Sequence, residues 1–295
     1  MRSSWIIFIL LLLATSCRNQ GEKVVLAFRY IPGETYEYQM IDEVQYDTRK
    51  YSGERLSVSR LQHQDTVIRV KSKDGAEDVF NLRIGFSVTS DTILYPDDYK
   101  LEKKQQPVGK PGRVDEFNVV MRGDGKILSV VGENQSATEH YESAYKTRQP
   151  VFPKKAIGPG FGWSHKIYLK FPNSDPVPVV IAYKFDRFEM VDMYRCAVIA
   201  YSSTFEKKRD LTETKYNDSN YKQLDAHYTT ENHGELFFAI KEGIVARKTA
   251  TIRLATKLNI IEADNTDNYF ERNTIDKETV FLVAIRKSDD SSSVR

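Results

Sequence analysis

Apolar and polar residues alternate one for one over long stretches of this chain, the pattern of a strand with one buried face. Tyr36, Tyr38, Met40, Val44 and Tyr46 fall on one face, and Thr35, Glu37, Gln39, Glu43, Gln45 and Asp47 on the other. Ile41 and Asp42 each break the rule once. Val24 to Phe28 is a short strand candidate ahead of the Ile31-Pro32-Gly33 turn. Leu56 to Lys71 reads as one long or bulged strand, and Lys73-Asp74-Gly75 as a hairpin. The cleanest alternation follows, with Phe80, Leu82, Ile84, Phe86 and Val88 opposite Asn81, Arg83, Gly85, Ser87 and Thr89. A long polar connection, Ser90 to Asp115, leads to strands through Phe117, Val119 and Met121 and, after Gly123-Asp124-Gly125, through Ile127 to Val131.

One segment changes period. Ser136-Ala137-Thr138-Glu139 is a capping-box pattern, and Tyr141, Ala144 and Tyr145 form a stripe at helical spacing, so a helix is expected near Ala137 to Lys146. That stripe reads as core packing. Beyond Pro150 and Pro153, Trp163, Ile167, Leu169 and Phe171 alternate with Ser164, Lys166, Tyr168 and Lys170. Trp163 is therefore expected in the core. Val179 to Phe188 continues as a strand, and Tyr194 to Tyr201 is apolar on both faces, as a strand covered on both sides would be. Glu206 to Asn220 reads as exposed and Tyr221 to Thr230 as an edge strand. Leu236, Phe238 and Ile240 lead into a hairpin at Gly243, Ile244 to Leu254 runs back out, Asp264 to Asp276 reads as loop, and Thr279 to Ile285 as the last strand.

The halves look alike. The Asp74 and Asp192 turns and the Gly125 and Gly243 turns share an offset of 118 residues, too long for a solenoid repeat. The expected fold is all-β and mostly antiparallel: two related curved β-sheet units in tandem, 23–150 and 151–287, with one short helix between them and a frayed tail at 288–295.

The first residues tell a different story. Arg2 precedes an unbroken apolar run, Trp5 to Leu13, then Ala14-Thr15-Ser16 and Cys17. This is a signal peptide over 1–16 with a cysteine at the cut, the mark of a bacterial lipoprotein. The run is shorter than the ~20 residues of a transmembrane helix. Cys17 is expected to be acylated and 17–22 to form a polar tether, with no acidic cluster that would direct export to the cell surface. The expected location is the cell envelope, on the outer membrane facing the periplasm. Without Arg2 the formal charge falls from +2 to +1, so nothing favours nucleic acid. Acylation leaves Cys196 as the remaining thiol, so no internal disulfide forms.

The chain resembles a group of uncharacterised bacterial lipoproteins with G-x-x-Y-x-Y and G-x-W strand motifs. The matching residues are Gly33, Tyr36 and Tyr38, then Gly160 and Trp163, then Gly234, Leu236 and Phe238. The resemblance implies envelope location and a β fold, and no activity.

Candidate chemistry is sparse. His227 and His233, six residues apart on a strand, would lie about 20 Å apart, too far for one metal. Asp264 to Asn268 matches no calcium loop. Cys196 reads as a buried, inert thiol and His165 as a half-buried histidine. No nucleophile elbow or phosphate cradle occurs, so no catalytic residue and no cofactor is assigned. The expected function is a non-catalytic module that binds an apolar small molecule or another envelope protein through the concave face of a curved sheet. Tyr36, Tyr38, Phe80, Phe86, Trp163 and Phe238 are the candidate ligand-facing or core aromatics. A carboxylate-based hydrolase and a structural protein associating by sheet edges are the alternatives.

Overall fold

In the computed structural model, residues 21–52, 54–73, 78–94, 114–169, 176–213 and 221–287 are described. The leader, Cys17, the Asp74-Gly75 turn, Phe171 and the 288–295 tail lie outside them. The long alternating segments become β1 (Glu34–Ser52), β2 (Glu54–Lys73) and β3 (Val79–Leu94). They are followed by β4 (Val114–Arg122), β5 (Ile127–Val131), α1 (Gln135–Arg148) and β6 (Gly162–Leu169). Then come β7 (Val177–Val191), β8 (Tyr194–Asp210), β9 (Gln223–Ala239), β10 (Ile244–Ile261) and β11 (Asp267–Lys287).

All eleven strands join one antiparallel sheet in the order β5-β4-β3-β2-β1-β11-β10-β9-β8-β7-β6. Among the described residues the fold is all-β with one short helix, as expected. The two halves do not form separate sheets. β1 pairs with β11 along its length, Tyr38 opposite Leu282 and Asp42 opposite Glu278, so the seam between halves is an ordinary strand pair. The sheet also curls. Its two edge strands, β5 and β6, both touch α1, and Phe152 beyond the helix donates its N–H to Asp124 O in the β4–β5 turn at 2.8 Å.

Several boundaries move, each for a physical reason. Tyr221 to Thr230 is not an edge: it belongs to β9, bonded on both sides to β8 and β10. Leu224 and Ala226 within it are buried in a small cluster with Leu211, and the polarity of its other positions reports side-chain exposure, which is independent of whether the backbone is paired. The same holds for Glu206 to Asp210, which extends β8, and for Asp267 to Asp276, which opens β11. The helix is capped two residues earlier than the capping box suggests. Asn134 is the N-cap, its Oδ1 accepting from Ala137 N at 2.9 Å.

Val24 to Phe28 is not a strand of the sheet. Its alternation is real, since Leu26, Phe28 and Tyr30 are buried, but it forms the floor of the curled sheet. Its backbone groups pair with turns and a single bridge: Val24 N to Ile157 O at 2.8 Å, Phe28 N to Gly123 O at 2.7 Å, Arg29 N to Gly243 O at 2.9 Å. Phe28 lies 5.3 Å from Phe152 and 5.1 Å from Phe238, ring centre to ring centre.

This floor explains two turn glycines, one in each half. At Gly125 (φ 89°) an added Cβ would fall 2.1 Å from Pro150 O and 2.9 Å from the Phe28 ring. At Gly243 (φ 68°) it would fall 2.7 Å from Ala27 O. Gly160 has the same φ of 89° but open space around it. Gly125→Ala is therefore expected to cost upwards of about 2 kcal/mol, and Gly160→Ala only the backbone cost of about 1–2 kcal/mol. Urea midpoints of the two variants check the difference.

Candidate functional site

The curl leaves a cavity of about 300 Å³ between the concave face of the sheet and α1. Period two puts Tyr38 and Met40 of β1, Ile68 and Val70 of β2, Ile84 and Phe86 of β3, and Phe117 of β4 on its walls. The stripe expected on the helix, Tyr141, Ala144 and Tyr145, forms its roof, and Tyr30 from the floor segment closes one end. Phe117 is sandwiched there: Phe86 stacks on it at 5.8 Å and Tyr141 at 4.4 Å, while Tyr145 meets it edge-on at 5.8 Å. Burial pushes the Tyr38 and Tyr145 phenols well above their ordinary range, so both are neutral hydrogen-bonding groups at any physiological pH.

Opposite the floor the lining turns polar. Glu278 of β11, only 2 % exposed, faces Lys248 Nζ at 2.9 Å and the Arg148 guanidinium at 3.0 Å. Asp42 is directly across the β1–β11 pair from Glu278, and Asp276 is two residues away on the same face. Burial raises the Asp42 carboxyl to about 7, helped by the negative charges of Glu278 and Asp276 and opposed by Arg148 and Lys248. Asp276 is raised for the same reasons. Burial pushes Glu278 up as well, but Lys248 and Arg148 together reverse it and hold its carboxyl below the ordinary value. The site thus holds one firmly ionised carboxylate beside carboxyls that resist ionisation. Asp42 Oδ1, Asp276 Oδ1, Thr66 Oγ1 and Glu278 Oε2 are buried and accept no hydrogen bond, Oε2 having only its ion pair with Arg148, and of these residues Glu278 alone lines the cavity, the others lying behind the lining.

The candidate aromatics divide. Tyr38 and Phe86 line the cavity. Tyr36, Phe80 and Phe238 belong to the packing around the floor, where Tyr30 meets Tyr36 at 5.1 Å and Phe80 at 5.7 Å. Trp163 packs against the core as a partly buried residue, stacked on Tyr183 at 5.3 Å with its Nε1 donating to Val151 O at 2.9 Å.

The polar cluster went unassigned in the sequence, although one member left a trace: Asp42 is a carboxylate on an otherwise apolar face. The other residues discussed above for chemistry stay apart. His227 pairs with Glu206 at 2.9 Å on the exposed part of β9, away from His233. Burial, then the charge of Lys126, holds the half-buried His165 imidazole below its ordinary value. Burial, with Glu242 and Glu189, raises the Cys196 thiol to about 11, so it is not a thiolate. Among the described residues no group of three or more His, Cys, Asp or Glu could hold a metal ion.

Many outward positions of the sheet carry ion pairs, with apolar residues such as Leu61, Tyr168, Val180 and Val283 exposed among them. Glu37 pairs with Arg69 and Arg286, Arg83 with Glu116, and Lys257 with Glu271. Among the described residues no helix is long and apolar enough to cross a membrane.

Comparison with family profiles and with curated proteins gives no match. Among solved structures, an outer membrane channel from Pseudomonas putida F1 is similar with a TM-score of 0.25 and 7% identity, over 87% of this chain and 97% of that one. A lipovitellin structure concerned with lipid–protein interactions has a TM-score of 0.48 and 10% identity, over 90% of this chain and 27% of the lipovitellin chain, so this protein spans about a quarter of that neighbour.

Proposed function

We propose that the protein is a membrane-tethered module of the cell envelope that holds an apolar or amphipathic ligand in the cavity under α1. The observation that carries this reading is the cavity itself: about 300 Å³, walled mainly by aliphatic and aromatic side chains, with a few charged and amide groups, Asp115, Arg148, Gln149, Lys248 and Glu278, among them. Ligand pockets span about 300–1,000 Å³ and share that anatomy. The volume suits a small lipid or part of an acyl chain. Organic extraction of protein purified from its native membrane, followed by mass spectrometry, tests it. The expected result is one recurrent class of amphipath, absent from an Ala144→Trp variant whose indole fills the cavity. An empty wild-type protein would sink the reading.

Tethering rests on Cys17 directly after Ala14-Thr15-Ser16. Acylation there would hold Gly21, and with it the floor end, within about 14 Å of the lipidated cysteine. Cys17→Ala is expected to release the protein from membranes or to block its processing. A processed variant that stays membrane-bound through a high-salt wash would refute the anchor.

The alternatives have less support. Asp42 and Glu278 have carboxyls with opposed ionisation, as acid and base pairs do, but they sit side by side on paired strands rather than on either side of a bond. The edge strands β5 and β6 span only Ile127–Val131 and Gly162–Leu169, which offers little length for association by sheet edges.

A further inference from the structure

The floor has an outer face as well. Leu26, Phe28 and Tyr30 point into the sheet and are buried. Alternation therefore turns Lys23, Val25, Arg29 and Ile31 outward, and all four are exposed, Val25 at 52 % and Ile31 at 55 %. The β7–β8 turn lies at the same end of the sheet and carries Met193, at 81 % the most exposed large apolar side chain among the described residues. Single apolar side chains on a surface need no explanation. These three are set apart by where the chain enters the fold. The Glu22 carboxylate accepts from Arg195 Nη1 at 2.8 Å and Nη2 at 2.6 Å, two residues beyond Met193, so Gly21 sits beside that turn.

The same end is basic. Hydrogen bonds from Phe28 to Gly123, Arg29 to Gly243 and Val24 to Ile157 hold the neighbouring turns against the floor. Those turns expose Lys126, Lys241, Lys154 and Lys155, which join Lys23 and Arg29. The acidic residues there are Glu22, Asp124, Asp192 and Glu242, and Arg195 takes Glu22 while Arg122 takes Asp124. The adjoining strand ends add Lys73 and Lys287 on one side and Glu34 and Asp78 on the other, so the excess stays positive.

Resting on the Cys17 tether above, we propose that the outer face of the floor docks on a phospholipid bilayer. Val25, Ile31 and Met193 enter the acyl boundary, and the surrounding lysines meet lipid phosphates. The tether commits the face to this partner, because it holds Gly21 within about 14 Å of a cysteine embedded by its lipid. Interfacial binding grows with buried apolar area and with attraction to anionic headgroups, each nearby Lys or Arg contributing about fivefold in affinity. The lipid keeps the protein on the membrane, and the face decides which end points at it. Tyr30, between Arg29 and Ile31, is a wall of the cavity, so docking turns that end of the cavity to the bilayer.

The test uses protein purified from its native membrane and reconstituted on vesicles of phosphatidylethanolamine and phosphatidylglycerol. A fluorophore is attached at Ile31→Cys, at Met193→Cys or, at the opposite end of the sheet, at the exposed Asp267→Cys. Cys196 is fully buried and stays unlabelled. Both floor labels are expected to lose about half or more of their emission to a quencher carried on the lipid acyl chains, and the Asp267→Cys label almost none. The loss is expected to shrink severalfold in phosphatidylcholine, which lacks anionic headgroups. Equal loss at both ends, or no loss at the floor while the protein floats with the vesicles, would overturn the docking and leave the tether standing. Floor labels shielded from aqueous iodide but untouched by the lipid quencher would also overturn it, because another copy of the chain would then cover the face. Undiminished loss in phosphatidylcholine would overturn the role given to the lysines. Quenched floor labels on a protein whose mass shows no acyl group would remove the tether and leave the docking. Wild-type protein that does not float with the vesicles would sink both.

Discussion

Phe28→Ala is expected to lower stability by about 3–5 kcal/mol, the range for truncating a buried aromatic side chain. Phe28 is 2 % exposed and touches three other rings: Tyr30 at 6.0 Å, Phe152 at 5.3 Å and Phe238 at 5.1 Å. These rings come from separate parts of the chain, namely the floor itself, the connection after α1, and β9. Few hydrogen bonds hold the floor, because its backbone lies outside the strand ladders. Side-chain packing must therefore supply most of its attachment. Removing the ring leaves a void that Gly125 and Pro150, in backbone contact range of each other, cannot collapse to fill. A domain has about 5–15 kcal/mol in total, so the loss is a large share of it. The urea midpoint should fall sharply for Phe28→Ala and much less for Phe28→Leu, which keeps most of the volume. A loss below about 1 kcal/mol for the alanine variant would mean that the floor does not pack as a unit with the sheet.

Asp42→Asn should be more stable than wild type at neutral and higher pH, by an amount on the order of 2–4 kcal/mol. An Asp in the unfolded chain gives up its proton near 3.8, whereas burial and the charges of Glu278 and Asp276 raise the folded carboxyl to about 7. Below the unfolded value both states are protonated and nothing is lost. As pH rises from there through about 7, the folded state must either keep a proton that the unfolded chain has released or bury a charge, and wild-type stability declines. Above that window the loss is complete. Asparagine has no proton to lose. The advantage of the variant should be near zero at about pH 4 and full at about pH 8, with a residual slope from Asp276, which is raised in the same direction. Glu278 has the opposite sign. Its depressed carboxyl contributes stability above the ordinary glutamate range that is lost as pH falls through its folded value. Glu278→Gln strands Lys248 and Arg148 and is expected to cost about 3–5 kcal/mol at neutral pH. Urea midpoints at about pH 5 and 8 give both results. An Asp42→Asn variant less stable than wild type at about pH 8 would show that the carboxylate is compensated in the folded protein.

The antiparallel β class was legible in the sequence because it is written locally. Whether Phe80, Leu82, Ile84 and Phe86 share a face depends only on a strand's two-residue period, and the structure buries Leu82 and Ile84 and packs Phe80 and Phe86 against the same core. The helix was legible for the same reason. Tyr141, Ala144 and Tyr145 recur at helical spacing, and they do share a face. Tyr194 to Tyr201 was legible as a covered strand, and Cys196 to Ile199 are all buried. The expectation of a lipid anchor is also local, resting on one charge, one apolar run and one cysteine.

Partnership was decided by the tertiary structure. Alternation reports which face a strand buries and is silent about its neighbours, so the β1–β11 pairing that fuses the halves, and the true edges at β5 and β6, could not be read from it. For the same reason Val24 to Phe28 alternates like a strand while forming a floor. The site is the extreme case. Asp42 was visible as a break in the pattern of β1, but its meaning comes from Arg148, Lys248, Asp276 and Glu278, which are 106 to 236 positions away in the chain. Only the closing of β11 onto β1, with β10 beside it and α1 overhead, brings those charges together. Long-range pairing of this kind depends on the whole chain meeting itself, and no window of neighbouring residues contains it.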